Sequence, residues 1–326
     1  MSRNDTEPAV RKVQRTGGST FTVSLPKEWA LRQNLAAGTE VYLYTFEDRL
    51  VVAPAEHPEA ERRVQVFVHD VESDVIGRDI RRAYAAGADH IVVTADAKLT
   101  SDQRRAAIEA LTELVGFRVT DETDTQVEGR SVLDASSVSL EQTVAQLNQH
   151  VMGMIREGVA AILAGDMDRG RSTIERETEV DRLVALVTRQ FHGALVHVHE
   201  IDRISGDREQ AYRHVQVARA LQIVADAAAR IGLVAAAGMD KPNRDVRDAI
   251  KECGDALRAL LRAALGGDRA QAASETAVAR EKIEGIDRAI SDADCNQDVG
   301  RVREALSMGI EAAARIAALR LGQEFD

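Results

Sequence analysis

The spacing of hydrophobic side chains changes twice along the 326-residue chain. In residues 10–54, apolar and polar side chains alternate in short stretches such as Phe21–Leu25, which is typical of half-buried strands. Residues 62–134 switch between strand-like and helix-like spacing, and residues 139–322 keep apolar side chains four and three residues apart. The pattern therefore predicts a multidomain chain with a β region, an α+β region and an all-α region.

Turn residues divide the first region into short elements. Thr16–Ser19 predicts a turn before the first alternating strand, and Pro26 predicts the start of a short helix. Two further strands are expected to form a hairpin around Glu47 and Asp48. The stretch 54–58 then predicts a linker to the second region.

The second region alternates strands and helices. Gly87 predicts the end of its first helix, and Thr100 or Ser101 predicts the start of its second. Its expected elements are strand Val64–Val68, helix 74–86, strand His90–Thr94, helix 101–115, and strands Phe117–Thr120 and Thr125–Leu133. We interpret this order as a small α+β module of the ferredoxin-like kind.

The third region contains about six amphipathic helices and a weak internal repeat. Ala161–Asp166 matches Ala263–Asp268 at an offset of 102 residues, and each copy is expected to end one helix and begin the next. The repeat predicts an all-α pair of three-helix bundles. The expected domains are therefore 1–55, 62–135, 139–241 and 242–322.

Charge is distributed unevenly along the chain. The whole sequence has a formal net charge of −11, which by itself argues against contact with nucleic-acid phosphates. The first 35 residues, however, contain six basic and three acidic side chains, so they carry +3 and the remainder carries −14. A basic head on an acidic body predicts that DNA contact is confined to the N-terminal region.

Missing motifs argue against several classes of protein. Cys253 and Cys295 have no CxxC spacing, so we expect neither a disulfide framework nor a thiolate zinc site. No apolar run reaches the ~18 residues of a membrane span, and the N-terminus has no signal-peptide core, so we expect a cytoplasmic protein. Nucleotide-binding and hydrolase motifs are also missing, so we predict no catalytic residues and no enzyme.

The N-terminal region resembles the AbrB/MazE/SpoVT family of swapped-hairpin DNA-binding domains. The resemblance is carried by Arg11–Val13, the turn Gly17–Thr20, the block Val23–Lys27 and the turn Gly38–Val41. It implies a homodimer in which two chains interleave their hairpins to close one small β-barrel. A single 45-residue unit buries too little apolar surface to be stable alone, which agrees with such a dimer.

The same resemblance implies that basic residues near the first strand and turn face double-stranded DNA. Guanidinium groups suit phosphates and the edges of guanine, and the glycine turn lets the backbone approach the duplex. The alternative interpretation is that these residues are solvated surface charges. The candidate DNA-binding residues are Arg11, Lys12, Arg15, Lys27 and Arg32.

The helical region resembles the PhoU family, whose members are paired three-helix bundles. The internal repeat carries this resemblance, together with the segments Glu175–Leu183 and Ala220–Ile231. An AbrB-like head joined to PhoU-like bundles resembles the archaeal phosphate uptake regulators. The resemblance implies a role in phosphate homeostasis and a phosphate-transport or signalling protein as a partner.

PhoU members carry an acidic motif associated with metal clusters, and three residues match it here. Glu177 and Asp181 are one helical turn apart, and Asp226 takes the place of the acidic residue on the third helix. The resemblance implies a divalent metal or iron at these carboxylates, although no cofactor is certain. The alternative is that all three are ordinary solvated helix residues, with Asp226 pairing with Arg230.

The second repeat departs from the acidic motif. Ile283 stands where the first acid is expected, which leaves Glu284 and Asp287 three residues apart. Glu311 takes the place that Asp226 has in the first repeat. A metal cluster is therefore less expected in the second repeat than in the first.

Together these features predict a DNA-binding transcriptional regulator of phosphate uptake and homeostasis. Its helical region would sense phosphate status or bind partner proteins. The alternative is a PhoU-type regulator that does not bind DNA. In that case the helices would bind a phosphate transporter or signalling partner, and the N-terminal domain would serve only to dimerise the chain.

Overall fold

A computed structural model gives the fold, and the chain divides into two compact units, Met1–Ala60 and Glu61–Asp326. Among the described residues, no helix combines the length and the apolar character needed to cross a membrane. The structure describes residues 9–18, 20–45, 49–54, 61–68, 73–132, 138–196, 208–291 and 297–319.

The N-terminal unit contains two separate antiparallel hairpins and one short helix. The first hairpin pairs β1 (Gln14–Thr16) with β2 (Thr20–Thr22), and α1 (Lys27–Arg32) follows it. The second hairpin pairs β3 (Val41–Thr45) with β4 (Leu50–Pro54). No closed barrel is present among the described residues of this single chain. The barrel built from two chains therefore remains a prediction.

The predicted turns of this unit are described only in part. β2 ends at Thr22 instead of continuing to Leu25, because no described strand pairs with the residues that follow Thr22. The hairpin turn at Glu47 and Asp48 lies outside the described residues, as does most of the linker 54–58.

The middle module is a four-stranded mixed sheet with two helices, as the alternating pattern predicts in outline. β5 and β6 are parallel neighbours, whereas β8 pairs antiparallel with both β6 and β7. The elements are β5 (Arg63–Phe67), α2 (Ser73–Ala85), β6 (His90–Thr94), α3 (Ser101–Glu113), β7 (Phe117–Glu122) and β8 (Gln126–Ser131). Thr100 caps α3 through a capping box with Gln103.

The ferredoxin-like interpretation of this module is wrong. A ferredoxin-like fold follows the order β-α-β-β-α-β. This chain follows β-α-β-α-β-β, and its sheet order is β5-β6-β8-β7. Only three residues, Thr123–Thr125, separate the last two strands, and a connection this short joins antiparallel neighbours.

The remainder of the chain is helical, as predicted. Gly165 and Gly267 both adopt left-handed backbone conformations that end a helix. The next residues, Asp166 and Asp268, each accept a hydrogen bond from a backbone N–H at the start of the following helix. The helices are α4 (Leu140–Ala164), α5 (Met167–Glu175), α6 (Glu177–Val196), α7 (Arg208–Ala236), α8 (Arg244–Gly266), α9 (Arg269–Ser291) and α10 (Gln297–Leu319).

The two predicted bundles share one hydrophobic core. Leu147, Leu221, Leu260 and Leu306, from four different helices, are all fully buried in the same cluster. The first repeat has four helices instead of three, because the helix is interrupted at Arg176, between α5 and α6. The Thr173 hydroxyl donates to the Arg169 carbonyl just before this break, a bond that often bends helices.

Helix α6 joins the helical region to the middle module through a buried arginine. Arg189 is 8% exposed, and its guanidinium donates to the carbonyls of Tyr84 and Ala88 at 3.3 and 2.5 Å. It also pairs with Asp89 at 2.7 Å and lies over the rings of Tyr84 and Phe117. Arg189 therefore links the core of the helical region to that of the middle module through several contacts.

Candidate nucleic-acid interface and carboxylate cluster

The N-terminal unit lacks a core of its own within its described residues. Every described side chain in residues 9–54 is exposed or half-buried. Of the sixteen large hydrophobic residues that are exposed in the described part of the chain, nine lie in this unit. They are Val10, Val13, Phe21, Val23, Leu25, Leu31, Tyr42, Leu43 and Leu50.

The turn between β1 and β2 holds one candidate DNA-binding residue close to its backbone. Gly17 has a φ of +71°, a left-handed conformation that glycine adopts without strain. The Arg15 guanidinium donates to the Gly18 carbonyl at 2.6 Å, across this turn. The hydroxyls of Thr16 and Thr22 approach to 3.0 Å and link the two strands. The turn therefore presents Arg15 on a defined hairpin.

The structure places all five candidate cations on the exposed surface of the N-terminal unit. Arg11 and Lys12 precede β1 directly, so they are close to Arg15 along the chain. Lys27 and Arg32 lie at opposite ends of α1. None of the five forms an ion pair with another described residue. Their charges are therefore available to a ligand.

The three carboxylates of the first repeat influence one another. Burial raises the pKa of Glu177, and the charges of Asp226 and Asp181 raise it further. Burial and the charge of Asp181 likewise raise the pKa of Asp226, whereas Arg230 lowers it. Asp181 accepts a hydrogen bond from Gln222 Nε2 at 2.7 Å, and none of the three forms an ion pair with a described residue. Helices α6 and α7 thus bring together the acids that the sequence singles out.

In the second repeat, arginines neutralise the corresponding acids. Glu311 accepts two hydrogen bonds from Arg280, both at 3.0 Å, and they lower its pKa. Asp287 accepts two from Arg303 at 2.9 and 2.8 Å. These bidentate pairs agree with the expected departure of the second repeat from the acidic motif.

Glu177 and Asp181 line a cavity of about 390 Å³, where α6 faces α2 and α3 of the middle module. Arg81 and Arg182 also line it, so its charges are mixed. Among the described residues, no group of three or more His, Cys, Asp or Glu side chains is placed to hold a metal ion. The first-repeat carboxylates therefore do not form a ready three-ligand site, and metal binding there remains a prediction.

The sequence analysis did not single out two side chains whose contacts involve α6. Gln222 orients Asp181, and it lies four residues before Asp226 on the same face of α7. That spacing is visible in the sequence. Arg189 carries no such signal, because its partners in the middle module are about 100 residues away.

Two protein families match the chain. Residues 14–60 match the MazE family, described as antidote-toxin recognition MazE, bacterial antitoxin. Residues 144–235 match the PhoU domain. Arg15, Lys27 and Arg32 lie within the first match, whereas Arg11 and Lys12 precede it. No curated protein and no solved structure gives a significant match.

The two matches agree with the two resemblances seen in the sequence. A MazE-type domain indicates a DNA-binding regulator, and a PhoU domain indicates phosphate regulation. The second match covers α4 to α7 almost completely, and α8 to α10 lie outside it. The chain thus carries a MazE-type segment followed by a PhoU-type segment, which confirms the fusion that its residues predict.

Proposed function

We propose that this protein is a transcriptional regulator of phosphate uptake that binds DNA as a homodimer through its N-terminal unit. The helical region would sense phosphate status or bind a partner, and would change how the dimer engages DNA. The candidate contacts to the duplex are Arg11, Lys12 and Arg15, with Lys27 and Arg32 as further contributors.

The observation that carries the proposal is the absence of a buried side chain in the described part of the N-terminal unit. A segment with exposed Phe21, Leu31 and Leu43 cannot offset the entropy of ordering its backbone by its own contacts. A second copy would cover these side chains. It would also double the set of cations, giving a two-fold surface that suits a short symmetric DNA site.

Electrostatics supports the same assignment. The chain beyond residue 35 carries a formal charge of −14, which repels DNA phosphates, whereas the first 35 residues carry +3. The five exposed cations have no competing ion pairs with described residues. Binding would therefore depend strongly on salt and be confined to the basic head.

The proposal is tested by fluorescence anisotropy with labelled promoter DNA and the full-length protein. The double variant Arg11→Ala/Arg15→Ala removes four cations from a dimer. If all four contact phosphates, the slope of log affinity against log salt should fall by about four. Arg118→Ala is the matched control, because Arg118 is exposed on β7 of the middle module and should not change the slope.

An unchanged salt slope in the double variant would contradict the DNA-binding proposal. If the wild-type protein also fails to bind DNA but captures a phosphate-transport component, the PhoU-type alternative without DNA binding is favoured. Mapping of bound chromosomal DNA at high and low phosphate then tests the regulatory role. Occupancy that does not respond to phosphate would argue against phosphate control.

A further inference from the structure

The helical region contains a cationic cavity that is separate from the carboxylate cluster. It has a volume of about 570 Å³ and lies where α4, α8 and the break between α5 and α6 meet. Arg156, Arg176, Arg258 and His150 line it, and no described carboxylate does. The chain has a net charge of −11, so three guanidinium groups around one cavity form a positive patch on a protein that is negative as a whole.

Arg176 is the one arginine of this cavity whose guanidinium has no partner among the described residues, and the buried Oδ1 of Asn148 in the same lining has no donor there. Arg176 forms no hydrogen bond or ion pair through its guanidinium with any described residue. A Cβ atom at position 153 would lie 3.3 Å from Arg176 Nη1, so the guanidinium lies directly over the backbone of Gly153. Gly153 therefore leaves the space that the arginine uses.

The other two arginines are held by weak surface ion pairs. Arg156 pairs with its neighbour Glu157 at 3.1 Å, and Arg258 pairs with Asp255 at 2.5 Å, one turn away on α8. In each pair one side chain is more than half exposed, and ion pairs with such access to solvent contribute little free energy. Both guanidinium groups can therefore turn toward a ligand at small cost and orient their donors beside those of Arg176.

We propose that this cavity binds a phosphate-bearing anion, either free inorganic phosphate or the phosphate group of a small ester. Guanidinium groups offer paired N–H donors that match the oxygens of a phosphate. The cavity is largely open to solvent, and its volume of about 570 Å³ has room for either source. The site differs from the carboxylate cluster in charge and in ligand class.

The position of Arg176 connects this cavity to the rest of the first repeat. Arg176 is the residue at the break between α5 and α6, and the next residue, Glu177, lines the cavity on the middle module. An anion held by Arg176 would bias the geometry of this break. Its use as a phosphate signal rests on the proposed function, whereas anion binding can be measured without DNA.

The test is isothermal titration calorimetry on the full-length protein without DNA, with inorganic phosphate and adenosine 5′-monophosphate as probes. We expect saturable binding of one anion per chain. Arg176→Gln should weaken it by at least about tenfold, because hydrogen bonds to a charged group contribute that much. Arg247→Gln on α8 is the matched control, since Arg247 is exposed and lies outside the cavity.

Far-UV circular dichroism of Arg176→Gln should equal that of the wild type, because the side chain makes no contact that the fold needs. Tighter binding of inorganic phosphate would identify the free ion, and tighter binding of the nucleotide would identify an ester. The proposal is overturned if neither probe binds, or if Arg176→Gln and Arg247→Gln bind equally well. Neither result would affect DNA binding measured with the N-terminal variants.

Discussion

The N-terminal unit and the remainder of the chain differ in how much of their side-chain surface is buried. In residues 9–54, no described side chain is buried, and Phe21 is 71% exposed. The helical region instead buries leucines from four helices in one core, and the middle module has a core of its own. The remainder also buries Arg189, whose guanidinium donates to the Tyr84 and Ala88 carbonyls and to Asp89.

This difference identifies the part of the molecule that, under the proposed function, depends on a second chain. The remainder builds two hydrophobic cores from its own described side chains within one copy, so its fold follows from its own contacts. The described residues of the N-terminal unit form strands and turns but bury no side chain, which agrees with the proposal that a second copy stabilises this unit. Dimerisation and DNA binding would therefore be coupled in the same small region.

The largest expected effect is loss of the N-terminal fold on dilution. Trp29 is the single tryptophan and lies on α1, so its fluorescence reports on this unit alone, whereas far-UV circular dichroism reports mainly on the helical region. In urea, the Trp29 transition should shift to higher denaturant as protein concentration rises, by about 1.4 kcal/mol per tenfold change. If the fluorescence and circular dichroism transitions coincide and do not depend on protein concentration, the N-terminal unit does not need a second chain to be stable.

The second effect tests the buried cation that links α6 to the middle module. Arg189→Ala removes the donor of the Ala88 carbonyl and of Asp89 Oδ1, although Asp89 Oδ2 still accepts from the Arg62 backbone N–H. It also removes a buried guanidinium that packs on two rings, so the free energy of unfolding should fall by about 3 kcal/mol. Urea titration followed by far-UV circular dichroism measures it. Arg118→Ala, an exposed change on β7, should alter stability by less than about 0.5 kcal/mol. Equal effects would show that Arg189 is not a link.

A third effect tests the close contact between α5 and α7. A Cβ at Gly170 would lie 2.7 Å from the Ala236 backbone nitrogen and 2.8 Å from the Gly232 carbonyl oxygen. Gly170→Ala should therefore cost about 2 kcal/mol, because neither backbone can yield easily. At Gly285 on α9 nothing lies within 4 Å, so Gly285→Ala should stabilise by about 0.5 kcal/mol. Thermal denaturation of both variants should show shifts of opposite sign.

The smallest effect concerns pH and the two helical repeats. The pKa of Asp226 is raised in the folded protein. The contribution of Asp226 to the free energy of unfolding is therefore lost as pH rises through the folded pKa. Asp226→Asn should remove this decrease in stability with rising pH. Arg280 lowers the pKa of Glu311 in the folded protein. The contribution of Glu311 to the free energy of unfolding is therefore lost as pH falls through the folded pKa. Glu311→Gln should remove this decrease in stability with falling pH. Both changes should be a few tenths of a kcal/mol, since solvent screens these groups. Urea midpoints at pH 3 to 7 measure them, and equal signs would contradict the assignment.

Much of the fold could be predicted because its signals are local. Helix ends at Gly165 and Gly267, the cap at Thr100 and the parallel and antiparallel strands of the middle module all lie where spacing and turn residues indicate. The ferredoxin-like interpretation failed because the element order that the pattern predicts, and that the structure has, is β-α-β-α-β-β and not the ferredoxin-like β-α-β-β-α-β. The short connection Thr123–Thr125 likewise favours antiparallel pairing of β7 with β8, which the structure has.

Some residues of the candidate sites could be predicted from the sequence, whereas others are evident only in the structure. The sequence singled out Glu177, Asp181 and Asp226, and the structure brings their charges together. The sequence alone did not indicate that Arg280 and Arg303 neutralise the acids of the second repeat. It also did not indicate the cationic cavity, whose arginines come from three separate parts of the chain.

The sequence by itself determined the order of the three regions, the positions of most helices and the two family resemblances, because periodicity, caps and motifs are encoded between near neighbours. The tertiary structure decided the strand order of the middle module, the burial of Arg189 and the pairing of arginines with carboxylates. Those features depend on how elements that are distant in sequence are oriented against one another, and local spacing carries no record of that orientation.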